Sequence, residues 1–247
     1  MVNIFVKTII SASMNMKLSL LLLLVISQFT FSKSIDININ DDVYLLMLVD
    51  ELKRIVLPHS GIHANFSTYY YHIVRELIAQ GYIVVSAEYR GSTGYGKTTY
   101  ENIDYGGREN DDVLKSRDYM VENYSIVDST RVGVIGWSHG GMIALMQILQ
   151  HGGSYKCAFA GVPVSDLEIR LETHDDTYSA YFTAPHHIGE SIESNRDEYV
   201  RRSPTHYASN LNKPLLIYTN TNDNDVYVEE VQTAGRLPIF DIQYTNS

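Results

Sequence analysis

The sequence contains one cysteine, Cys157, and few basic residues. A lone cysteine excludes an internal disulfide, so the fold must rely on its apolar core. The chain has 19 Lys and Arg against 29 Asp and Glu, a formal net charge of −10, and no basic cluster exceeds the pair Arg201-Arg202. Nucleic acids and anionic membranes are bound by basic patches, and neither is therefore expected as a partner.

Long apolar runs are also scarce, and the longest candidate lies near the N-terminus. Lys17 precedes the apolar run Leu18 to Ile26, and the small residue Ser32 follows at a suitable cleavage position. This run is too short to span a bilayer comfortably, and the arrangement is typical of a secretory signal. We predict that residues 1–32 are a signal peptide, with an uncleaved membrane anchor as the alternative. The mature protein is then secreted or exported and keeps no stable membrane span.

No repeat, low-complexity tract or linker divides the remaining sequence, which predicts one domain over residues 33–247. The chain is 247 residues long and 45% hydrophobic, enough for a single α/β domain with a real core. Strand-like apolar runs alternate with helical patterns, which predicts a mostly parallel sheet covered by helices on both faces. The predicted strands are Arg54 to Leu57, Ile83 to Ala87, Val132 to Ile135, Ala158 to Val162 and Leu215 to Thr219, and the helices are His72 to Gln80, Asp111 to Asn123 and Gly140 to Gln150.

The most informative motif is Gly136-Trp137-Ser138-His139-Gly140, which has the form of a nucleophile elbow. Glycines two residues before and after a serine let the chain turn sharply from a strand into a helix, and a Cβ at either position would collide with the turn. A predicted buried strand precedes the motif and a predicted apolar helix follows it. The motif therefore predicts Ser138 as a catalytic nucleophile at the carboxyl end of a strand.

A serine nucleophile needs an orienting acid, and in this fold the acid follows the nucleophile along the chain. Asp223 lies just beyond the predicted strand Leu215 to Thr219 and is the main candidate, with Asp225 as its rival. A solvated Asn/Asp loop is the structural alternative. Calcium is not favoured, because the loop lacks the glycine and distal glutamate of an EF-hand.

Residues 165–207 form a polar stretch that is rich in Tyr and His and lacks a clean period. Such inserts form either part of a cap over the site or an irregular surface excursion, and the sequence leaves both open. Tyr178, Tyr181 and Phe182 are candidate walls of a substrate pocket, with simple packing as the alternative.

Several motifs, in order from about Pro58 to about Val231, resemble the catalytic domain of the prolyl oligopeptidase family of serine peptidases. That family has the α/β-hydrolase fold. The matching segments are Ala87 to Gly96 (AEYRGSTGYG), the helix from Asp112 to Tyr119, the elbow Gly136 to Gly141, Ser203-Pro204 with Lys213 to Ile217, and Asp223-x-x-Val226.

The resemblance implies that Ser138 is the nucleophile and Asp223 the orienting acid. It also implies an oxyanion hole formed by the backbone N–H of His139 and by the loop His59-Ser60-Gly61-Ile62. Ser60 stands where the family has a glycine. The His139 ring is not expected to act as the base, because it is adjacent to Ser138 on a tight turn.

The family's catalytic histidine follows the acid, but residues 224–247 contain no histidine. We therefore expect a chain that is incomplete at the C-terminus relative to the family. Each of the nine histidines is interpreted as a core or surface residue, and no zinc site or other cofactor is predicted, because no pair has helical i, i+4 spacing with a third ligand nearby.

Three functions remain open at this point. The first is a serine peptidase that acts through an acyl-enzyme on Ser138, impaired by the missing histidine. The second is an esterase or acylaminoacyl hydrolase that takes small ester or amide substrates on the same fold. The third is a non-catalytic pseudo-hydrolase that binds a ligand or partner; loss of the base favours it, whereas retention of Ser138 and Asp223 favours the first.

Overall fold

The computed structural model describes residues 53–220, 222–234 and 242–245. The predicted signal segment, residues 1–32, lies outside the described residues. Among the residues that are described, none of the helices is both long and apolar enough to cross a membrane.

The core of the fold is a six-stranded, fully parallel sheet in the order β2-β1-β3-β4-β5-β6. The central strand β3 is paired in register with β4, so that Gly133 lies beside Cys157 and Trp137 beside Gly161. The strands are β1 (Lys53–Val56), β2 (Tyr82–Val85), β3 (Val132–Trp137), β4 (Cys157–Gly161), β5 (Leu215–Asn220) and β6 (Ile242–Thr245).

Eight α-helices and two 3-10 segments are defined in the described part of the chain. The α-helices are α1 (Tyr71–Ala79), α2 (Lys97–Glu101), α3 (Glu109–Asn123), α4 (His139–Gln150), α5 (Leu167–Thr173), α6 (Asp176–Phe182), α7 (Arg196–Arg201) and α8 (Val228–Ala234), and the 3-10 segments are Thr68–Tyr70 and Pro204–Asn210.

Two buried apolar clusters lie on the two faces of the sheet, because successive strand residues point to opposite sides. Ile55 and Ile135 belong to the cluster that includes Leu77 of α1. Their neighbours Val56 and Val134 belong to the larger cluster, which takes in α3, most of α4 and parts of the α5–α7 region. Helices therefore cover both faces, which confirms the predicted class of α/β fold.

The polar stretch 165–207 is regular rather than shapeless, since it forms α5, α6, α7 and a 3-10 turn. It contributes fully buried side chains to the core, among them Leu167, Phe182 and Tyr199. Short helices of six or seven residues carry too few turns to produce a readable period, which explains why the sequence pattern did not reveal them.

Candidate active site

Ser138 occupies the turn between the central strand β3 and helix α4, with φ 54° and ψ −122°. L-residues rarely adopt this backbone conformation, and holding one there costs on the order of 1–3 kcal/mol. The turn is held in place by hydrogen bonds from the Ser138 N–H to the Gly161 carbonyl (2.9 Å) and from the Met142 N–H to the Ser138 carbonyl (2.9 Å). The serine therefore stands on a strained strand-to-helix turn at the carboxyl edge of the sheet.

The two glycines of the motif are required by contacts of different kinds. A Cβ on Gly136 would clash with the carbonyl of Gly140, inside the turn. A Cβ on Gly140 would lie 2.7 Å from the carbonyl oxygen of Pro58 and 2.8 Å from that of His59. The second glycine therefore makes room for the loop after β1 rather than for the turn itself, and this contact seats that loop directly against the elbow.

His139 is the first residue of α4, so its backbone N–H is one of the donors that an α-helix leaves without an internal partner. Its side chain is 3% exposed and points into the protein. There, Nε2 lies 3.2 Å from a carboxylate oxygen of the fully buried Glu109, and the ring lies 4.8 Å from that of Tyr105. The His139 side chain thus packs in the protein interior against Glu109 and Tyr105, which suits a packing role.

The loop His59-Ser60-Gly61 is held by Tyr89, whose ring stacks on His59 at 4.1 Å. The Tyr89 hydroxyl lies 2.9 Å from the His59 carbonyl and 3.0 Å from the Gly61 carbonyl, and donates toward both. His59 is completely buried, and burial lowers its pKa to about 4, so its ring is a neutral structural group. Tyr89 lies 30 positions from His59, on the segment after β2, so no local pattern indicates that it supports this loop.

Ser60 belongs to the loop His59-Ser60-Gly61-Ile62, from which the resemblance implies a second donor to the oxyanion. In the structure its N–H donates to the hydroxyl of the buried Tyr70, and its side-chain hydroxyl bonds the same atom. Tyr70 thus holds Ser60 through both its backbone N–H and its side-chain hydroxyl. No local sequence pattern indicates this pairing.

Asp223 lies in the loop that follows β5. Its Oδ1 accepts hydrogen bonds from the backbone N–H groups of Asp225 (2.9 Å) and Val226 (2.8 Å), which fixes the carboxylate within a tight turn. The rival Asp225 is engaged elsewhere, since its Oδ1 lies 3.0 Å from a guanidinium nitrogen of Arg170. The two acids therefore have different partners, and only Asp225 pairs with a cation.

A buried ion pair lies beneath the loop that contains Asp223 and Asp225, which we call the acid loop. Arg170 of α5 is 2% exposed and pairs with the fully buried Glu230 of α8 at 3.0 Å. Glu230 also accepts the N–H of Ser165 (2.7 Å), and Arg170 donates to the Asp225 carbonyl (3.0 Å). Burial alone would lower the pKa of Arg170, but the surrounding groups, Glu230 among them, raise it above its usual value.

The three aromatic residues suggested as pocket walls have different environments. Phe182 is 1% exposed and packs edge-on against Tyr105 at 4.8 Å, so it is a core residue. Tyr178 is half-buried, and its hydroxyl accepts a hydrogen bond from Arg170. Tyr181 is 39% exposed and its ring meets the ring of His187 at 4.0 Å. Of these three side chains, only that of Tyr181 is exposed to solvent.

All nine histidines of the chain lie among the described residues, and none of them hydrogen-bonds the Ser138 hydroxyl there. The one closest to the acid loop, His174, has Nδ1 2.7 Å from the Arg170 carbonyl and Nε2 3.1 Å from the Asp225 carbonyl. Three others, His63, His186 and His187, come together at the carboxyl edge of the sheet. Sequence spacing could not reveal this cluster, since 124 positions separate His63 from His187.

A parallel sheet with a serine on a strained turn between its central strand and a buried helix defines an α/β-hydrolase. A family model described as "Prolyl oligopeptidase family" matches residues 68–237. The chain belongs to the prolyl oligopeptidase family, as the resemblance of its motifs implied.

Individual relatives agree with this assignment. The chain is 30% identical over 176 residues to the uncharacterized peptidase YuxL of Bacillus subtilis, covering 70% of this chain and 26% of the relative. It is 27% identical over 177 residues to acylamino-acid-releasing enzyme 1 of Oryza sativa, covering 68% of this chain and 23% of the relative. A puromycin-hydrolyzing peptidase of Mycobacterium tuberculosis superimposes with a TM-score of 0.70 at 25% identity, covering 79% of this chain and 30% of that one. The chain spans about a quarter of the length of these curated relatives.

Proposed function

We propose that this chain carries the nucleophile and acid of a serine peptidase, with Ser138 attacking the scissile carbonyl to form an acyl-enzyme. The observation that carries the proposal is the strained backbone of Ser138 at the β3–α4 turn. Such strain is maintained only where the surroundings impose it, and here hydrogen bonds to Gly161 and Met142 hold the turn, while the absence of a Cβ on Gly136 leaves room for it. The named relatives, a peptidase and an acylamino-acid-releasing enzyme, support hydrolysis of peptide-type bonds.

In this mechanism each group of the site has one task. As the Ser138 oxygen bonds to the carbonyl carbon, its hydroxyl proton passes to water, and the carbonyl oxygen becomes an oxyanion that accepts the N–H of His139 at the start of α4. A second donor comes from the loop His59-Ser60-Gly61, where Ser60 first has to exchange its bond to Tyr70 for one to the oxyanion. Water returns the proton to the amide nitrogen as the C–N bond breaks and the amine leaves, and a further water molecule then hydrolyses the ester, which restores the Ser138 hydroxyl and releases the acid.

Asp223 serves as the orienting acid, and its role requires a histidine between it and Ser138. Residues 224–247 contain no histidine. Residues 1–247 therefore include the nucleophile, the acid and the oxyanion donors, but not the base at the position where the family has it. A triad that lacks a member still accelerates hydrolysis by roughly 10³- to 10⁴-fold over water. For a polypeptide limited to residues 1–247, we therefore expect slow acylation of Ser138 rather than efficient turnover.

The test is labelling of the full chain with a fluorophosphonate probe, which reacts with activated serines. We expect slow labelling of the wild-type chain that disappears in Ser138→Ala and persists in Ser129→Ala, a matched control on an exposed loop. Circular dichroism verifies that all three are folded. Absence of labelling in a folded wild-type chain would overturn the proposal and favour a non-catalytic binding protein.

Substrate class is tested next on the same samples. An N-acyl peptide anilide, a free-amino peptide anilide and a simple ester of the same acyl group separate the alternatives. We expect release of the amine from at least one peptide anilide that depends on Ser138. Ester hydrolysis without any peptide hydrolysis would instead assign an esterase.

We also propose that the protein is exported, on the evidence of Lys17, the apolar run Leu18 to Ile26 and Ser32. N-terminal sequencing of protein recovered outside the producing cell tests this. A new N-terminus near residue 33 supports a cleaved signal, and protein that stays with the membrane fraction supports the anchor.

A further inference from the structure

Three imidazoles from distant parts of the sequence come together in the folded protein. His63 lies on the loop after β1, whereas His186 and His187 follow α6. One ring nitrogen from each lies within 4.8 Å of the others, and this is the one group of potential metal ligands found among the described residues. His187 is 3% exposed and the other two are half-buried, so the cluster is shielded from bulk solvent.

The protonation state of His63 follows from its hydrogen bonds. Its Nδ1 lies 3.0 Å from the Gly91 carbonyl oxygen, which can only accept, so Nδ1 carries the proton. The lone pair of His63 is therefore on Nε2. Histidines that bind metals typically donate their other N–H to a backbone carbonyl in this way, which fixes the tautomer and orients the ring.

The Nε2 atom of His63 faces the Nε2 atom of His187 at 3.3 Å. In a tetrahedral zinc site with Zn–N bonds of about 2.05 Å, two nitrogen ligands are separated by about 3.3 Å. The two rings thus already have the spacing of a metal-ligand pair. The third ring, His186, packs edge-on against His187 with centroids 4.7 Å apart, and one of its ring nitrogens lies within 4.8 Å of those of His63 and His187.

The two facing nitrogens have no other partner. Nε2 of His63 and Nε2 of His187 share a single hydrogen bond and make no other among the described residues, and Nδ1 of His187 is buried there without a hydrogen bond. A cation bound between the two Nε2 atoms would therefore have to displace only this one bond.

Aromatic side chains hold the rings in position. Tyr100 stacks on His63 at 3.7 Å, and Tyr181 meets His187 at 4.0 Å. His187 also lies 6.4 Å from Tyr105, which in turn contacts His139 next to the nucleophile. The cluster therefore joins the loop after β1 to the segment between α6 and α7, and contacts the buried aromatic group around Tyr105.

We propose that His63, His186 and His187 form a Zn²⁺ site. Three histidines leave the fourth coordination position open to water, as in zinc sites with three protein ligands. The bound cation links the loop after β1 to the segment between α6 and α7. This site is independent of Ser138 chemistry and does not rest on the proposed hydrolase activity.

The test measures Zn²⁺ binding to the full chain after treatment with a chelator and dialysis. We expect one Zn²⁺ per chain by isothermal titration calorimetry, a raised Tm with Zn²⁺, and, with Co²⁺, the intense visible absorption of a four-coordinate site. Loss of a supporting group around a metal ligand typically weakens binding 10- to 100-fold, so loss of a ligand in His63→Gln or His187→Gln should weaken it about 100-fold or more.

His72→Gln is the matched control, since His72 is exposed on α1. His186 is only half-buried, so variants at this position should fold even if a variant of the buried His187 does not. The variant His186→Asn should lose Zn²⁺ binding. The variant His186→Cys should retain it, because cysteine is itself a zinc ligand. Equal Zn²⁺ affinity in the wild type, His186→Asn and His63→Gln would overturn the proposal, as would no binding by the wild type. Ser138→Ala should bind Zn²⁺ like the wild type.

Discussion

The nucleophile elbow and the acid loop lie at the same edge of the sheet but are held in place by different forces. The elbow is fixed by shape: Gly136 and Gly140 leave no room for a Cβ, and α4 behind it is almost entirely buried. The acid loop is fixed by charge, because Arg170 and Glu230 form a buried ion pair beneath it. One half of the site thus depends on packing and the other on electrostatics.

This difference predicts different failures. A packed turn is disrupted by added volume, whereas a buried ion pair tolerates loss of both partners better than loss of one. Substitutions in the two regions should therefore follow different rules.

Arg170→Met should be the most destabilising change. It leaves the carboxylate of Glu230 buried at 0% exposure without its cation, and breaking such a pair typically costs about 3–5 kcal/mol. It also removes the donor to the Asp225 carbonyl. Urea unfolding followed by circular dichroism measures the loss in the free energy of unfolding.

The double variant Arg170→Met with Glu230→Leu sharpens this result. Replacing both members of a buried pair by apolar residues is often neutral or stabilising, so the double variant should be more stable than Arg170→Met alone. If the two losses simply add, the loop is not held by the ion pair, and the contrast between the two regions fails.

The elbow was readable from the sequence because the groups that build it are adjacent in the chain. Gly136, Ser138 and Gly140 lie within five positions, and the strand and helix around them have strong apolar patterns. The order of strand and helix segments likewise predicted the parallel α/β fold. β6 was missed, since residues 236–247 have no clear pattern.

The supports of the site were not readable, because their partners lie far apart. Glu230 is 60 positions from Arg170, and nothing local to either residue indicates that it is buried and paired. The same holds for Tyr70 with Ser60, ten positions apart, and for the three clustered histidines. Local patterns record backbone geometry and amphipathicity, whereas these contacts arise only when the sheet brings separate loops together.

Gly136→Ala tests the elbow by adding one methyl group. The new Cβ would clash with the backbone carbonyl of Gly140, which cannot move without displacing Ser138. Overpacking of a core typically costs 1–3 kcal/mol, and a clash with backbone lies at the upper end, so we expect a loss of about 3 kcal/mol. Gly153→Ala is the matched control, because no atom lies within 4 Å of its Cβ position. An equal effect of the two substitutions would show that the turn can relax.

The packed half of the site should also be sensitive to acid through His59. Burial lowers the pKa of His59 to about 4, so between about pH 6.5 and 4 the unfolded chain binds a proton that the folded chain excludes. Stability is therefore fully present above pH 6.5 and decreases as the pH falls toward 4, by about 2–3 kcal/mol from this group.

The groups that face His59 are Glu88, Ser92, Tyr89 and His139. Urea unfolding at several pH values between 7 and 4, in the wild type and in His59→Gln, isolates its contribution. The variant should be less stable at pH 7 but should lose less stability on acidification. Parallel curves for the two proteins would mean that His59 does not titrate differently on folding.

The smallest effect is expected at the exposed end of the acid loop. Here the two candidate acids should differ in how much each contributes to the free energy of unfolding. The side chain of Asp225 is 66% exposed, so loss of its ion pair with Arg170 in Asp225→Asn should cost no more than about 1 kcal/mol. Asp223→Ala removes the acceptor of two backbone N–H groups and should cost about 1–2 kcal/mol. Asp223→Asn, which keeps an acceptor oxygen, should lie between the wild type and the alanine variant. If urea unfolding shows Asp225→Asn to be the more damaging of the two, the loop is held through its charged rim rather than through the turn around Asp223.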